Sequence, residues 1–212
     1  MQHRVRLIAA SPNMCDPNFK ETLILLLEND ADGAFGFILN RMRDLDLGDV
    51  FQGEEALGPE EFKVWFGGPV DETRGFLLCD SHELRKLGIL WNESDDDQLS
   101  IREGLFTTAN PSITKEIIWQ YFDSEQSLSI VENFSNEHDQ AAKIPFRFFL
   151  GYAGWGPKQI EEESLAGWWL DVPWDKNLIM STRPDQMWTK SIASLGIHSP
   201  ASYVNLNSDF IQ

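Results

Sequence analysis

Residues 22–41, TLILLLENDADGAFGFILNR, decide how the chain is to be read. Leu23 to Leu27 are apolar without a break. Such a run is too short for a free-standing helix and is typical of a strand buried on both faces. Asp32-Gly33 supplies the positive φ of a tight turn, after which Phe35, Phe37 and Leu39 alternate onto one face. The stretch reads as a β-hairpin.

Working outward, VRLIAA (5–10) reads as a first strand, ended by the turn-rich SPNMCDPN. FKVWF (62–66), the turn GGPVDE and RGFLLC (74–79) read as a second hairpin. LSIREGLFTT (99–108) reads as one strand, and IPFRFFLGY (144–152) as another, with Phe146, Phe148, Leu150 and Tyr152 on one face. Between these lie a surface loop or short helix at 43–61, a charged loop at 80–98 and a polar excursion at 123–143.

Asn110 caps a helix that opens at Pro111 and carries Ile113, Ile117, Ile118, Tyr121 and Phe122 as an apolar stripe. Pro157 opens a short helix, and Pro184 a third with Trp188, Ile192 and Leu195 at helical spacing, stopped by Gly196. Strands in hairpins with about three helices between or after them indicate an α+β fold, not the strict alternation of a doubly wound sheet. We expect one domain over 1–200, followed by a C-terminal tail at 201–212.

Composition narrows the function. With 212 residues, 42% of them hydrophobic, the chain is long enough to build a core without staples. A net charge of −17 repels nucleic-acid backbones, so direct binding to DNA or RNA is not expected. Cys15 and Cys79 show no metal spacing and read as reduced thiols. MQHRVRLIAASPNM holds too short an apolar run for a secretory signal or a membrane span, so the expected location is cytoplasmic, away from membranes.

Chemistry is harder to find. His3, His82, His138 and His198 are scattered and HExxH is absent, so no metal is expected. GxSxG is also absent, and we assign no catalytic residue and no cofactor. Asp95, Asp96 and Asp97 read as a solvated run.

Two glycine-rich corners remain. In FLGYAGWGPKQIEEE (149–163), Gly151, Gly154 and Gly156 precede a helix, as in a phosphate cradle. Glu161, Glu162 and Glu163 already satisfy the helix dipole, however, and Pro157 removes a donor. A strand-to-helix corner packed around Trp155 is the better reading. In GGPVDETRG (67–75), Arg74 either pairs locally with Asp71 or anchors a ligand beside a glycine-lined pocket. Trp168-Trp169 cannot both face inward if they continue a helix, and an exposed aromatic marks a protein interface.

Four stretches in order, LIAASPNMCDPNF (7–19), LLENDADGAFGFILNR (26–41), VWFGGPVDETRGFLL (64–78) and LGYAGWGPKQIEEE (150–163), resemble the bacterial AlgH/YqgE family. The resemblance covers about 190 residues. It implies a small cytoplasmic protein with an α+β fold on a bifurcated, partly barrel-like, mainly antiparallel sheet. The family name reflects a proposed role in transcriptional regulation, and the resemblance brings no enzymatic activity, cofactor or catalytic residue. Asn29 stands where relatives often carry histidine, and Met42 where they often carry proline.

The expectation is therefore a non-catalytic regulatory or adaptor protein whose partner is another protein. The alternative is a small-molecule or anion-binding protein, an enzyme included, that uses the corners at 67–75 and 151–159. Arg74, Tyr152, Trp155 and Gln159 are the candidate ligand- or partner-binding residues.

Overall fold

The computed structural model describes residues 5–51, 62–124 and 144–198. The polar excursion beyond Ser124, the tail at 201–212 and the second part of the 43–61 segment lie outside the described residues.

The opening hairpin forms as read. Strands β1 (Arg6–Ala10), β2 (Leu23–Asn29) and β3 (Ala34–Ile38) run antiparallel in sequence order. The turn closes through the Asp30 N–H donating to the Gly33 carbonyl at 2.9 Å, with Gly33 at φ +140°. Strand β2 is buried on both faces because its alternating side chains enter two different apolar clusters. Leu23, Leu25 and Leu27 join one, and Ile24 and Leu26 the other.

The sheet then branches. Strand β9 (Phe146–Trp155) carries β6 (Val70–Asp80) along one edge, from Phe146 opposite Cys79 to Tyr152 opposite Val70. Its other edge is shared. Phe149 and Leu150 pair in parallel with β5 (Lys63–Phe66), and residues 153–155 pair antiparallel with β3. Gly67 sits at the fork, where its N–H donates to the Leu150 carbonyl at 3.0 Å and its carbonyl accepts from the Ile38 N–H at 2.9 Å. A Cβ there would lie 2.0 Å from the Gly151 oxygen, so only glycine lets the two backbones meet.

The long path runs β10-β1-β2-β3-β9-β6-β8-β7, where β7 is Gln98–Ser100, β8 is Leu105–Thr108 and β10 is Trp169–Val172. Strand β4 (Met42–Asp46) pairs β5 on the branch. The result is a mixed α+β fold, a curled antiparallel half-barrel with β5–β9 as its parallel pairing.

Helices α1 (Leu47–Val50), α2 (Ser81–Lys86), α3 (Pro111–Asp123), α4 (Gln159–Leu165), α5 (Lys176–Met180) and α6 (Pro184–Ala193) complete the described chain. The side chain of Asn110 caps α3 as expected, accepting from the Ser112 and Ile113 N–H groups. None of these helices is long and apolar enough to cross a membrane.

Several local readings need correction. Residues 62–79 do not form a hairpin, because β9 lies between β5 and β6. Period-2 patterning shows that two strands exist but not which strand separates them. Residues 99–108 are two strands joined by a turn in which Glu103 and Gly104 take positive φ. The charged loop at 80–98 contains α2, whose cap is the Asp80 carboxylate accepting from His82 N–H at 3.0 Å. Pro157 does not open α4, which begins at Gln159 after Lys158 has taken a left-handed φ of 64°. Trp168-Trp169 do not continue a helix. Trp168 stands just before β10 and Trp169 is the strand's first residue, so their side chains point apart.

Candidate functional site: two clefts on opposite faces of strand β9

The four candidate residues fall into two groups. Tyr152 and Trp155 are three positions apart on β9, so their side chains leave opposite faces of the sheet. Arg74 joins Tyr152 in a cleft of about 440 Å³, whereas Gln159 joins Trp155 in one of about 320 Å³.

The Trp155 cleft is built around one carboxylate. Glu163 Oε2 accepts from Trp169 Nε1 at 2.7 Å and from Trp155 Nε1 at 3.2 Å, and Glu163 Oε1 accepts from Gln159 Nε2 at 2.7 Å. The Gln159 Oε1 in turn accepts from the Gly156 N–H at 2.9 Å. Phe19 stacks on Trp155 at 5.9 Å, and Trp169 meets it edge-on at 5.7 Å. Both polar ends of Gln159 are thus engaged within the corner. The helix of 149–163 is packed around Trp155 as the sequence suggested, but its third glutamate serves as an indole acceptor.

At the far end of α4, Gly167 takes φ +78° and the chain reverses. Gly167 N–H donates to the Ser164 carbonyl and Trp168 N–H to the Glu163 carbonyl, the paired bonds of a Schellman stop. This reversal turns Trp169 inward and leaves Trp168 at 39% exposure on the cleft wall, with Leu165 at 90% exposure in the last turn of α4. Cys15 opens on the same cleft, while Cys79 is fully buried in the core, so the two thiols are free and far apart in environment. Burial, with Asp80 adjacent, pushes the Cys79 thiol well above its ordinary range.

The Arg74 cleft is built by a bulge. Between Val70 opposite Tyr152 and Gly75 opposite Leu150, β6 advances five residues while β9 advances two. The excess, with Asp71 at φ 45°, lifts the segment off the sheet. Arg74 then lies with its guanidinium 5.2 Å over the Phe76 ring. It does not pair with Asp71, which accepts from Thr73 Oγ1. Among the described residues Arg74 makes no hydrogen bond or ion pair. Phe35, Phe76 and Tyr152 form the floor, with Phe35 edge-on to Tyr152 at 5.3 Å. Glu28, Asp96 and Asp97 stand at the rim, and Thr107 lines the cleft with a buried Oγ1 that has no partner.

Sequence reasoning missed this second set. Glu28, Phe35, Asp96, Asp97 and Thr107 are brought together by strand order, and no local pattern announces that order. Gly67, Gly68 and Gly151 of the two corners face each other's backbone instead of a ligand. Cβ atoms on Gly67 and Gly68 would strike the backbone at Gly151 and Tyr152.

The AlgH-like family model (DUF179) matches residues 7–200. This chain belongs to that family. A UPF0301 protein of Myxococcus xanthus is 31% identical over 201 residues, covering 93% of each chain. One of Sinorhizobium medicae is 31% identical over 204 residues, covering 92% of this chain and 86% of its own. The solution structure of the AlgH protein from Pseudomonas aeruginosa is similar at 26% identity and a TM-score of 0.63, covering 91% of this chain and 88% of that one. A Corynebacterium diphtheriae protein of known crystal structure shares the fold at 17% identity and a TM-score of 0.62, over 90% of this chain and 85% of that one. The family is of uncharacterised function, and its members leave the clefts to be read from their own chemistry.

Proposed function

We propose that this AlgH-like protein is a non-enzymatic regulatory adaptor of the bacterial cytoplasm. It acts through contact with another protein and does not bind DNA itself. The observation that carries the reading is the pair Leu165 and Trp168, two large apolar side chains held in solvent on either side of the turn that ends α4. Burying Leu165, which is almost fully exposed, stabilises a complex by roughly 1.5–3 kcal/mol, the part-buried Trp168 adds its remaining exposed surface, and exposed aromatics are enriched at the centres of interfaces. The net charge of −17 supports the exclusion of nucleic acid.

The test uses the full chain as bait in extracts of its native cells, beside a Leu165→Asp/Trp168→Ser double variant. A protein retained by the native bait and lost with the variant is the expected result. Identical capture by both, or capture by neither, overturns the proposal. So does sequence-specific nanomolar DNA binding by the purified protein at near-physiological salt.

A further inference from the structure

We propose that the cleft between β3, β6, β8 and β9 is a binding site for a small zwitterion with an apolar body, of the size of an amino acid or dipeptide. The site lies on the opposite sheet face from Leu165 and Trp168 and does not depend on the adaptor reading.

Three features argue for a ligand of this class. The floor is aromatic, formed by Phe35, Phe76 and Tyr152, and suits an apolar or aromatic side chain. The rim holds charges of both signs that the fold has not paired. Among the described residues Arg74 has no carboxylate partner, although Glu28, Asp96 and Asp97 line the same cleft. A ligand carboxylate fits the guanidinium, whose donors form a planar fork. A ligand ammonium fits the three acids, which outnumber Arg74 and make the rim net negative.

The third feature lies deeper. Thr107 is 5% exposed, and its Oγ1 is buried without a hydrogen-bond partner. Its neighbour Thr108 is engaged, with Oγ1 accepting from the Asn110 N–H at 3.0 Å. Buried hydroxyls in folded proteins are almost always partnered, so an orphan beneath the lining of a cleft points to an occupant that draws it out by a χ1 turn. The volume of about 440 Å³ lies within the range of small-molecule sites and is too small for a folded partner. Arg74, stacked on Phe76 by the β6 bulge, is already positioned, so little side-chain freedom is lost on binding.

The test is calorimetric titration of the purified full chain with L-phenylalanine, L-leucine and leucyl-leucine. 2-Phenylethylamine and 3-phenylpropionate serve as probes that each lack one charge. The expected result is saturable binding of at least one zwitterion, with each single-charge analogue at least about tenfold weaker. Arg74→Gln should weaken the zwitterion by about tenfold or more, and Thr107→Val by several-fold, with far-ultraviolet circular dichroism unchanged. The Leu165→Asp/Trp168→Ser variant should bind like the native chain. No binding by any zwitterion overturns the proposal, as does an affinity equal to that of either single-charge analogue. Affinity indifferent to both Arg74→Gln and Thr107→Val places the ligand elsewhere and overturns it too.

Discussion

The two faces of β9 solve the same problem in opposite ways. On one face, a single carboxylate collects three donors. Trp155, Trp169 and Gln159 all end on Glu163, and the last free polar end of Gln159 closes on the Gly156 N–H. On the other face, Arg74 and the Thr107 hydroxyl make no hydrogen bond or ion pair among the described residues, beside an aromatic floor. A corner whose polar groups are partnered internally is part of the scaffold. A cleft whose polar groups are not is where binding chemistry is to be sought, because unmade hydrogen bonds are costly to keep without a use. Substitutions should therefore have large effects on stability at the fork and at the first face, and small ones on the second.

The largest effect is expected at the fork that divides the two faces. Gly67→Ala places a methyl 2.0 Å from the Gly151 oxygen, where backbone meets backbone and no side chain can move aside. It should cost more than about 4 kcal/mol or abolish folding, read by urea denaturation or by loss of soluble protein. A cost below about 1 kcal/mol would mean that β5 and β3 do not share β9 in the way described.

Next comes the satisfied face. Glu163→Ala removes the acceptor of two largely buried indoles and of Gln159, and should destabilise the fold by about 2–4 kcal/mol. Trp155 fluorescence should shift with it, since the indole loses its charged acceptor. If the loss is only a few tenths of a kcal/mol, the corner is not the closed network that the comparison requires.

A third region of β9 sharpens the contrast. Arg147 is fully buried, and its Nε and Nη2 have no hydrogen-bond partner among the described residues. Nη1 donates to the Leu39 carbonyl at 3.5 Å, and the guanidinium lies 4.5 Å over the Trp65 ring. Burial pushes its pKa down from the ordinary arginine range to about 9. Arg147 lines none of the clefts at Arg74, at Trp155 or beside Lys176, and its burial is an internal cost of the fold. Arg147→Met should raise stability by about 1–3 kcal/mol at pH 7. Because the folded pKa is depressed, the penalty is fully present below about pH 9. Above about pH 9 the unfolded state binds the extra proton, so the native chain should regain stability relative to Arg147→Met as pH rises toward the ordinary arginine range. A stability difference that stays constant through pH 10.5 would show that the charge is compensated.

Much of this architecture is legible in the sequence, and the limits have physical reasons. The β2–β3 hairpin, the Asn110 cap and the packed Trp155 corner are local, set by periodicity, turn chemistry and capping within a few residues. The family pattern supplied the branched sheet. The insertion of β9 between β5 and β6 was not legible, because pairing partners some 80 residues apart leave no local trace. The β6 bulge was hidden for the same reason, since a register slip is visible only against the partner strand. Arg74 and Tyr152, which stand out by their glycine-rich surroundings, meet in one cleft. Gln159, chosen on the same grounds, lines the opposite one. The glycines mark where backbones cross, and the side chains nearest to them are distributed by strand alternation.

The smallest effect on stability should fall where the binding effect is largest. Arg74 is exposed, stacks on one face of Phe76 and holds no hydrogen bond or ion pair among the described residues. Its replacement by Gln removes only a partly solvated cation–π contact, of about 0.5–1 kcal/mol at exposed sites. It also lowers the positive charge beside Glu28, Asp96 and Asp97, and the two changes together should leave stability within about 1 kcal/mol of native. Chemical denaturation of Arg74→Gln without ligand is the measurement. A loss of 2 kcal/mol or more would make Arg74 a structural plug over the aromatic floor, and the two faces of β9 would then be alike. Native-like stability combined with lost zwitterion binding would separate them, with Glu163 holding the fold and Arg74 kept free for something outside it.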